Sequence, residues 1–397
     1  MTSCSSYCFV ILLVLCRGYT SNTLYANACF TSIISFGDSL ADTGNLKQIA
    51  SETDKVISYF LPPYGETFFH QPTGRCSDGR LIIDLLAESL GLPLIPPFVR
   101  SDDVVELGQG VNYAVAGATA LDSPFLEAKG VYNSMTNASL RVQLAWFKQS
   151  LPSLCGEIRD CKHLIGSSLI LMGEIGGNDY NVPFFAGKSI DEVESYVPLV
   201  IDTIISAINE LIEMGARTLV VPGNLPIGCT SAYLALFGSQ KEKYDPTTDC
   251  LIRYNEIAEY HNELLQTELM MIQELHPNVI IIYADYYNAV MQIYRSPHKF
   301  GFTNGALKAC CGGGGPFNYN SSMKCGLAYA TVCDQPDTYV NWDGVHLTEA
   351  AYKHIFKGLF QGPYTTPQFN SLCPTSTSST GERQNIELNV RNSRLDI

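Results

Sequence analysis

Four separate stretches of this 397-residue chain carry side chains that acyl transfer would need. The apolar run Ile33-Ile34-Ser35-Phe36 ends in Gly37-Asp38-Ser39. A small polar break after a buried strand reads as a loop at the carboxyl edge of a sheet, where open α/β folds hold their ligands. Ser39 is therefore either a presented nucleophile or a cap for the next helix. Near the other end, Asp343 and His346 lie three residues apart with Gly344 between them. A turn there lets a carboxylate reach Nδ1 while Nε2 points outward, as a histidine base requires. Alone, the pair also fits a capping or surface arrangement. Gly110 to Gly117 offers small residues and backbone amides, and Gly176-Gly177-Asn178-Asp179 offers a side-chain amide. Serine acyl transfer needs a base, an acid to orient it, and donors for the oxyanion. These stretches could supply all three.

The elements between them set the positions. Short apolar runs near 33–36, 110–118, 168–172, 218–222 and 279–283 read as strands. Helical spacing runs from Leu81 to Leu90, from about Ser189 to Met214, and from about Cys250 to Leu275. A last helix starts near Thr348, with Glu349 close behind it. Strands alternating with helices imply βαβ units and a mostly parallel sheet, an α/β fold. No linker divides residues 29–373, so one domain is expected. Residues 374–397 lack a periodic apolar pattern and are expected to be a disordered polar tail.

The composition bounds the function. The hydrophobic share is 46%, and the net charge is −14. An acidic surface repels phosphate backbones, which disfavours nucleic acid as a partner. Residues 7–16 form an apolar block too short to span a bilayer, read as the core of a signal peptide ending near residue 28. No Lys or Arg precedes that block, which leaves an uncleaved anchor as the alternative. The chain has 14 cysteines, of which Cys4, Cys8 and Cys16 fall in the leader. The odd number remaining implies disulfides with at least one thiol left over. Cys155/Cys161 and Cys325/Cys333 are near enough in sequence to close small loops. Sequons at Asn137 and Asn320 fit glycosylation on a secretory route, to the cell exterior or a vacuole.

Other chemistries lack their motifs. There is no Gly-x-Ser-x-Gly elbow, no His-Glu-x-x-His, and no Gly-Lys-Ser/Thr after the glycine run at 312–315. No cofactor or metal is called for. At this point the chain resembles a known family. Phe36-Gly37-Asp38-Ser39-Leu40, Gly110-x-Asn112-Tyr113-Ala114-x-x-Gly117, Gly176-Gly177-Asn178-Asp179 and Asp343-x-x-His346 are similar to the four ordered blocks of the GDSL esterase/lipases, or SGNH hydrolases. Further matches at Gly74-Arg75-Cys76-Ser77-Asp78-Gly79-Arg80, Gly215-Ala216-Arg217 and Pro226-x-Gly228-Cys229 resemble the plant branch. The resemblance implies a flavodoxin-like, three-layer α/β/α fold. It implies Ser39 as nucleophile, His346 as base and Asp343 as its partner. The oxyanion hole would be the Ser39 amide, the Gly117 amide and the Asn178 side chain, with Asp38 shaping the loop. Tyr113 departs from the family's usual Phe. The stretch from Pro63 to Asp122 is similar to plant members that cleave acyl esters of alkaloids and choline. The expectation is a monomeric ester hydrolase for small-molecule esters, with no stable membrane partner. An acyltransferase using the same acyl-enzyme, or a catalytically silent binding protein, remains the alternative.

Overall fold

The computed structural model of the protein describes residues 29–51, 56–99, 110–155 and 157–373. The expected leader and polar tail lie outside the described residues. Five strands run parallel: β1 (Ser32–Ser35), β2 (Val111–Asn112), β3 (Ser168–Leu171), β4 (Thr218–Pro222) and β5 (Ile280–Ala284). A ribbon of β6 (Cys311–Gly312) and β7 (Thr331–Val332) stands apart. An edge strand, β8 (Thr365–Thr366), pairs antiparallel with β5. The sheet order is β2-β1-β3-β4-β5-β8. Both the parallel sheet and the α/β class expected from the sequence are present, and β8 is an addition no apolar run announced.

Strand residues alternate between two cores. Ile34, Ile170, Leu219, Val221 and Ile281 pack with the helices Leu140–Cys155, Val197–Met214 and Ile252–Leu275. Ile33, Leu169, Leu171, Val220 and Ile282 pack with Ile82–Ser89, Tyr286–Arg295 and Glu349–Phe356. Burial on both faces is why these strands read as continuous apolar runs rather than alternating ones. The helices form the two outer layers of a three-layer sandwich.

The helix expected over 189–214 is two helices, Ile190–Glu194 and Val197–Met214. Pro198 lies in the first turn of the second, where its missing N–H costs nothing, and in a continuous helix it would break the ladder. Gly215 stops that helix at φ 117°. Among the described residues, five disulfides join Cys29–Cys373, Cys155–Cys161, Cys229–Cys250, Cys310–Cys333 and Cys311–Cys325. The small loop at Cys155/Cys161 is closed as expected, but Cys325/Cys333 is not a pair. The β6–β7 ribbon brings each of those cysteines to a member of Cys310-Cys311 instead. Cys76 is a free thiol, and it is buried.

Candidate active site

All four sequence stretches meet at the carboxyl edge of the sheet. Phe36 leaves β1, Gly37 turns at φ 143°, and Ser39 follows. Ser39 caps no helix: the next one is Asn45–Ser51, and its first amides are met by Asp42. The Ser39 Oγ lies 2.8 Å from His346 Nε2, and His346 Nδ1 lies 2.8 Å from Asp343 Oδ2. Asp343 Oδ1 accepts from the Val345 and His346 amides at 2.8 and 2.9 Å, so the turn's own backbone fixes the carboxylate. The Trp342 amide donates to the His346 carbonyl and closes the turn. Thr348 then caps the helix Glu349–Phe356 through the Ala351 amide.

Burial alone would raise the Asp343 carboxyl. The charge and hydrogen bond of His346, with the two backbone amides, outweigh it and hold the carboxyl at about 2. An ionised Asp343 accepts from Nδ1–H, which leaves Nε2 free to take the proton that Ser39 Oγ–H donates. The Tyr64 hydroxyl adds a fourth donor, 2.7 Å from Asp343 Oδ2. Tyr59 packs its ring edge-on to His346 at 5.4 Å. Sequence reasoning missed both tyrosines, which lie in an irregular loop with no periodicity to place them.

On the other side of Ser39, Gly117 and Asn178 line the same cavity. Among the described residues, neither the Ser39 nor the Gly117 amide has an acceptor. Gly117 sits at φ 85°, and a Cβ there would come within 2.6 Å of Met135 Cβ, so only glycine fits. Asn178 opens the helix Gly177–Phe185. Its Nδ2 donates to Asp38 Oδ2 and to the Ala118 carbonyl, both at 3.0 Å. The Ser39 and Gly117 amides are thus free donors on the wall of the cavity that Ser39 lines, whereas both hydrogens of Asn178 Nδ2 are engaged by Asp38 and Ala118.

Further side chains tie these loops together. Asp42 accepts from the Gly44, Asn45 and Leu46 amides and reaches across to Ala116. Asn45 donates to the Asn112 and Ala114 carbonyls. Gln143 holds Gly37 by both its amide and its carbonyl. Asp179 accepts from Ala120 and Leu121. Asp38 accepts from the Leu40 amide, the loop-shaping contact expected of it.

The cavity has a volume of about 420 Å³. Its walls include Tyr59, Tyr132, Phe185, Tyr233 and Tyr319, with Lys324 at one side. Of the two sequons, Asn137 is exposed, and Asn320 is half-buried on the cavity wall.

Residues 33–359 match the model of the family described as GDSL-like Lipase/Acylhydrolase. GDSL esterase/lipase At1g28590 of Arabidopsis thaliana is 54% identical over 369 residues, which is 93% of this chain and 91% of that protein. GDSL esterase/lipase At2g27360, from the same plant, is 52% identical over 387 residues, covering 97% of each chain. GDSL esterase/lipase At1g31550, also of Arabidopsis thaliana, is 57% identical over 348 residues, 87% of this chain and 88% of that protein.

Proposed function

The chain belongs to the GDSL-like lipase/acylhydrolase family, and from that premise we propose that it hydrolyses carboxylic esters through an acyl-enzyme on Ser39. His346 takes the Ser39 proton as the hydroxyl oxygen attacks the ester carbonyl. Asp343 steadies the imidazolium that forms. The Ser39 and Gly117 amides bind the oxyanion, and Asn178 Nδ2 joins them by exchanging its bond to the Ala118 carbonyl for one to the oxyanion. The imidazolium then protonates the leaving alkoxide, and the alcohol departs. Water, deprotonated by His346, attacks the acyl-enzyme and releases the acid. The unbroken line Ser39–His346–Asp343, with both links at 2.8 Å, carries this reading.

The substrate in this reading is an acyl ester of a plant specialised metabolite, such as an acetylated alkaloid. A cavity of about 420 Å³ suits one small molecule. Its tyrosine-rich wall favours rings and cationic amines. Entry into the secretory pathway, with glycans at Asn137 and Asn320, is supported by the five disulfides.

The test is an ester panel on the purified protein, from naphthyl acetate to long acyl, hydroxycinnamoyl and acetylated-alkaloid esters. Ser39→Ala abolishes turnover on every ester the wild type cleaves. Wild-type rates in that variant would remove Ser39 from the chemistry.

A further inference from the structure

Two buried carboxyls lie behind the oxyanion donors, and the steps above use neither. Asp38 is 2% exposed and Glu174 is 4% exposed. Glu174 lies between β3 and the Gly177–Phe185 helix, and it lines the cavity with Asp38, Ser39 and Asn178. The Asp38 amide donates to the Glu174 carbonyl at 3.0 Å, so the two loops are in register. Their buried carboxyls lie close enough to influence each other, and two carboxyls share a hydrogen bond only if one of them holds a proton.

The surroundings decide which. Asp38 accepts from the Leu40 amide at Oδ1 and from Asn178 Nδ2 at Oδ2, so both of its oxygens face donors. Among the described residues, Glu174 accepts from one N–H donor, the Gly177 amide, at 3.2 Å. The proton therefore belongs to Glu174, and Asp38 is the anion. Burial lifts both groups. It takes Asp38 to about 6, and it takes Glu174, which also faces the Asp38 and Asp179 charges, well above the ordinary carboxyl range. The other charged or titratable groups facing the pair are His346 and Asp42 toward Asp38, with the phenols of Tyr180, Tyr286 and Tyr352 and the Cys76 thiol around them.

We propose that Glu174, as a neutral acid bonded to Asp38, is a positioning residue for the oxyanion donor Asn178 and keeps a second negative charge away from the developing oxyanion. The proton bridges the loop that carries Ser39 to the helix that carries Asn178. Its loss sets two carboxylates side by side, breaks the bridge, and places an extra charge beside the atom that becomes negative in the transition state. Both effects weaken oxyanion binding and leave ground-state binding of a neutral ester alone.

This inference rests on the acyl-transfer reading, and the experiment separates the two. Labelling of Ser39 by a fluorophosphonate tests the serine chemistry independently. Steady-state profiles from pH 5 to 10 are then measured for wild type, Glu174→Gln and Glu174→Ala, with near-ultraviolet circular dichroism at each pH to confirm folding. Glutamine keeps a donor toward Asp38 and cannot ionise. The wild type is expected to lose kcat on the alkaline side with little change in KM. Glu174→Gln is expected to keep that activity at high pH, whereas Glu174→Ala loses about 100-fold in kcat at all pH values, approaching the loss of one oxyanion donor. Normal labelling with an alkaline limb unchanged in Glu174→Gln would overturn the inference. So would a folded Glu174→Ala whose kcat stays within twofold of the wild type. Failed labelling would overturn the acyl-transfer reading instead.

Discussion

Asp343 and Asp38 flank the same serine, and both are almost wholly buried, yet their carboxyls are driven in opposite directions. Asp343 is held at about 2 and Asp38 is lifted to about 6. Desolvation pushes both up, so it cannot explain the difference. The partners do. Burial of Asp343 is outweighed by a histidine and three further donors, whereas burial of Asp38 outweighs the lowering by Glu174, the Leu40 amide and His346, and the Asp42 charge adds to it. The same low-polarity setting makes one carboxylate a permanent charge and turns the other into half of a proton-sharing pair. The strand ends thus hold one arm tuned to stabilise a positive imidazolium and another tuned to avoid excess negative charge.

The largest test of that contrast exchanges each acid for its amide. Asp343→Asn reverses the hydrogen bond that fixes the His346 tautomer, and kcat is expected to fall about 10⁴-fold. Asp38→Asn keeps an acceptor for the Leu40 amide, and the expected loss is about tenfold, equivalent to one ordinary hydrogen bond. Equal losses in a kinetic assay would erase the distinction between the arms. Next in size, Asn178→Ala is expected to lower kcat about 100- to 1,000-fold with KM nearly constant. A change confined to KM would move Asn178 from the transition state to the ground state.

Tyr64→Phe removes one of the four donors to Asp343 and leaves the other three. A fall of about tenfold in kcat/KM is expected, near the lower bound for a hydrogen bond to a charged group. Wild-type kinetics would show that the turn backbone suffices.

The smallest expected effect is on stability. Asp343 is depressed on folding, so its contribution is present above the ordinary carboxyl value near 4 and is lost as pH falls toward 2. Asp38 is raised to about 6 and Asp179 to about 7, so their contribution is present below about 4 and is lost as pH rises through those values, and Glu174, raised well above the ordinary carboxyl range, acts in the same direction. The two groups of acids together favour a mildly acidic optimum. Thermal melts should give a Tm at pH 5 at least about 3 °C above that at pH 8, with a smaller gap in Glu174→Gln. A Tm that climbs steadily to pH 8 would contradict the raised carboxyls.

The parallel strands and the site stretches were legible because each has a local signature. Apolar runs mark strands buried on both faces, and Ser39, Asn178, Asp343 and His346 stand in short polar breaks at strand or helix boundaries. The supporting contacts had no such signature. Tyr64 reaches Asp343 across 279 positions, and Gln143 reaches Gly37 across 106. Neither distance leaves a period in the sequence. Glu174 was visible as part of the loop after β3, but its significance lies in meeting Asp38, which only tertiary structure supplies. Cys325 and Cys333 were near enough in sequence to close a small loop, but nearness does not decide pairing, and the β6–β7 ribbon joins each to another cysteine.

The bond between Cys29 and Cys373 has a consequence for orientation. Thr31, two residues past Cys29, bonds to Ser167, the residue just before β3, so this junction lies at the amino edge of the sheet. The pocket opens at the opposite edge, about 13 Å away along a four-residue strand. The bond also makes residues 29–373 a covalent ring, and whatever precedes or follows it departs from one spot on the far side. A tag, an anchor or a fusion partner at either end would thus be joined to the folded core at the edge opposite the mouth.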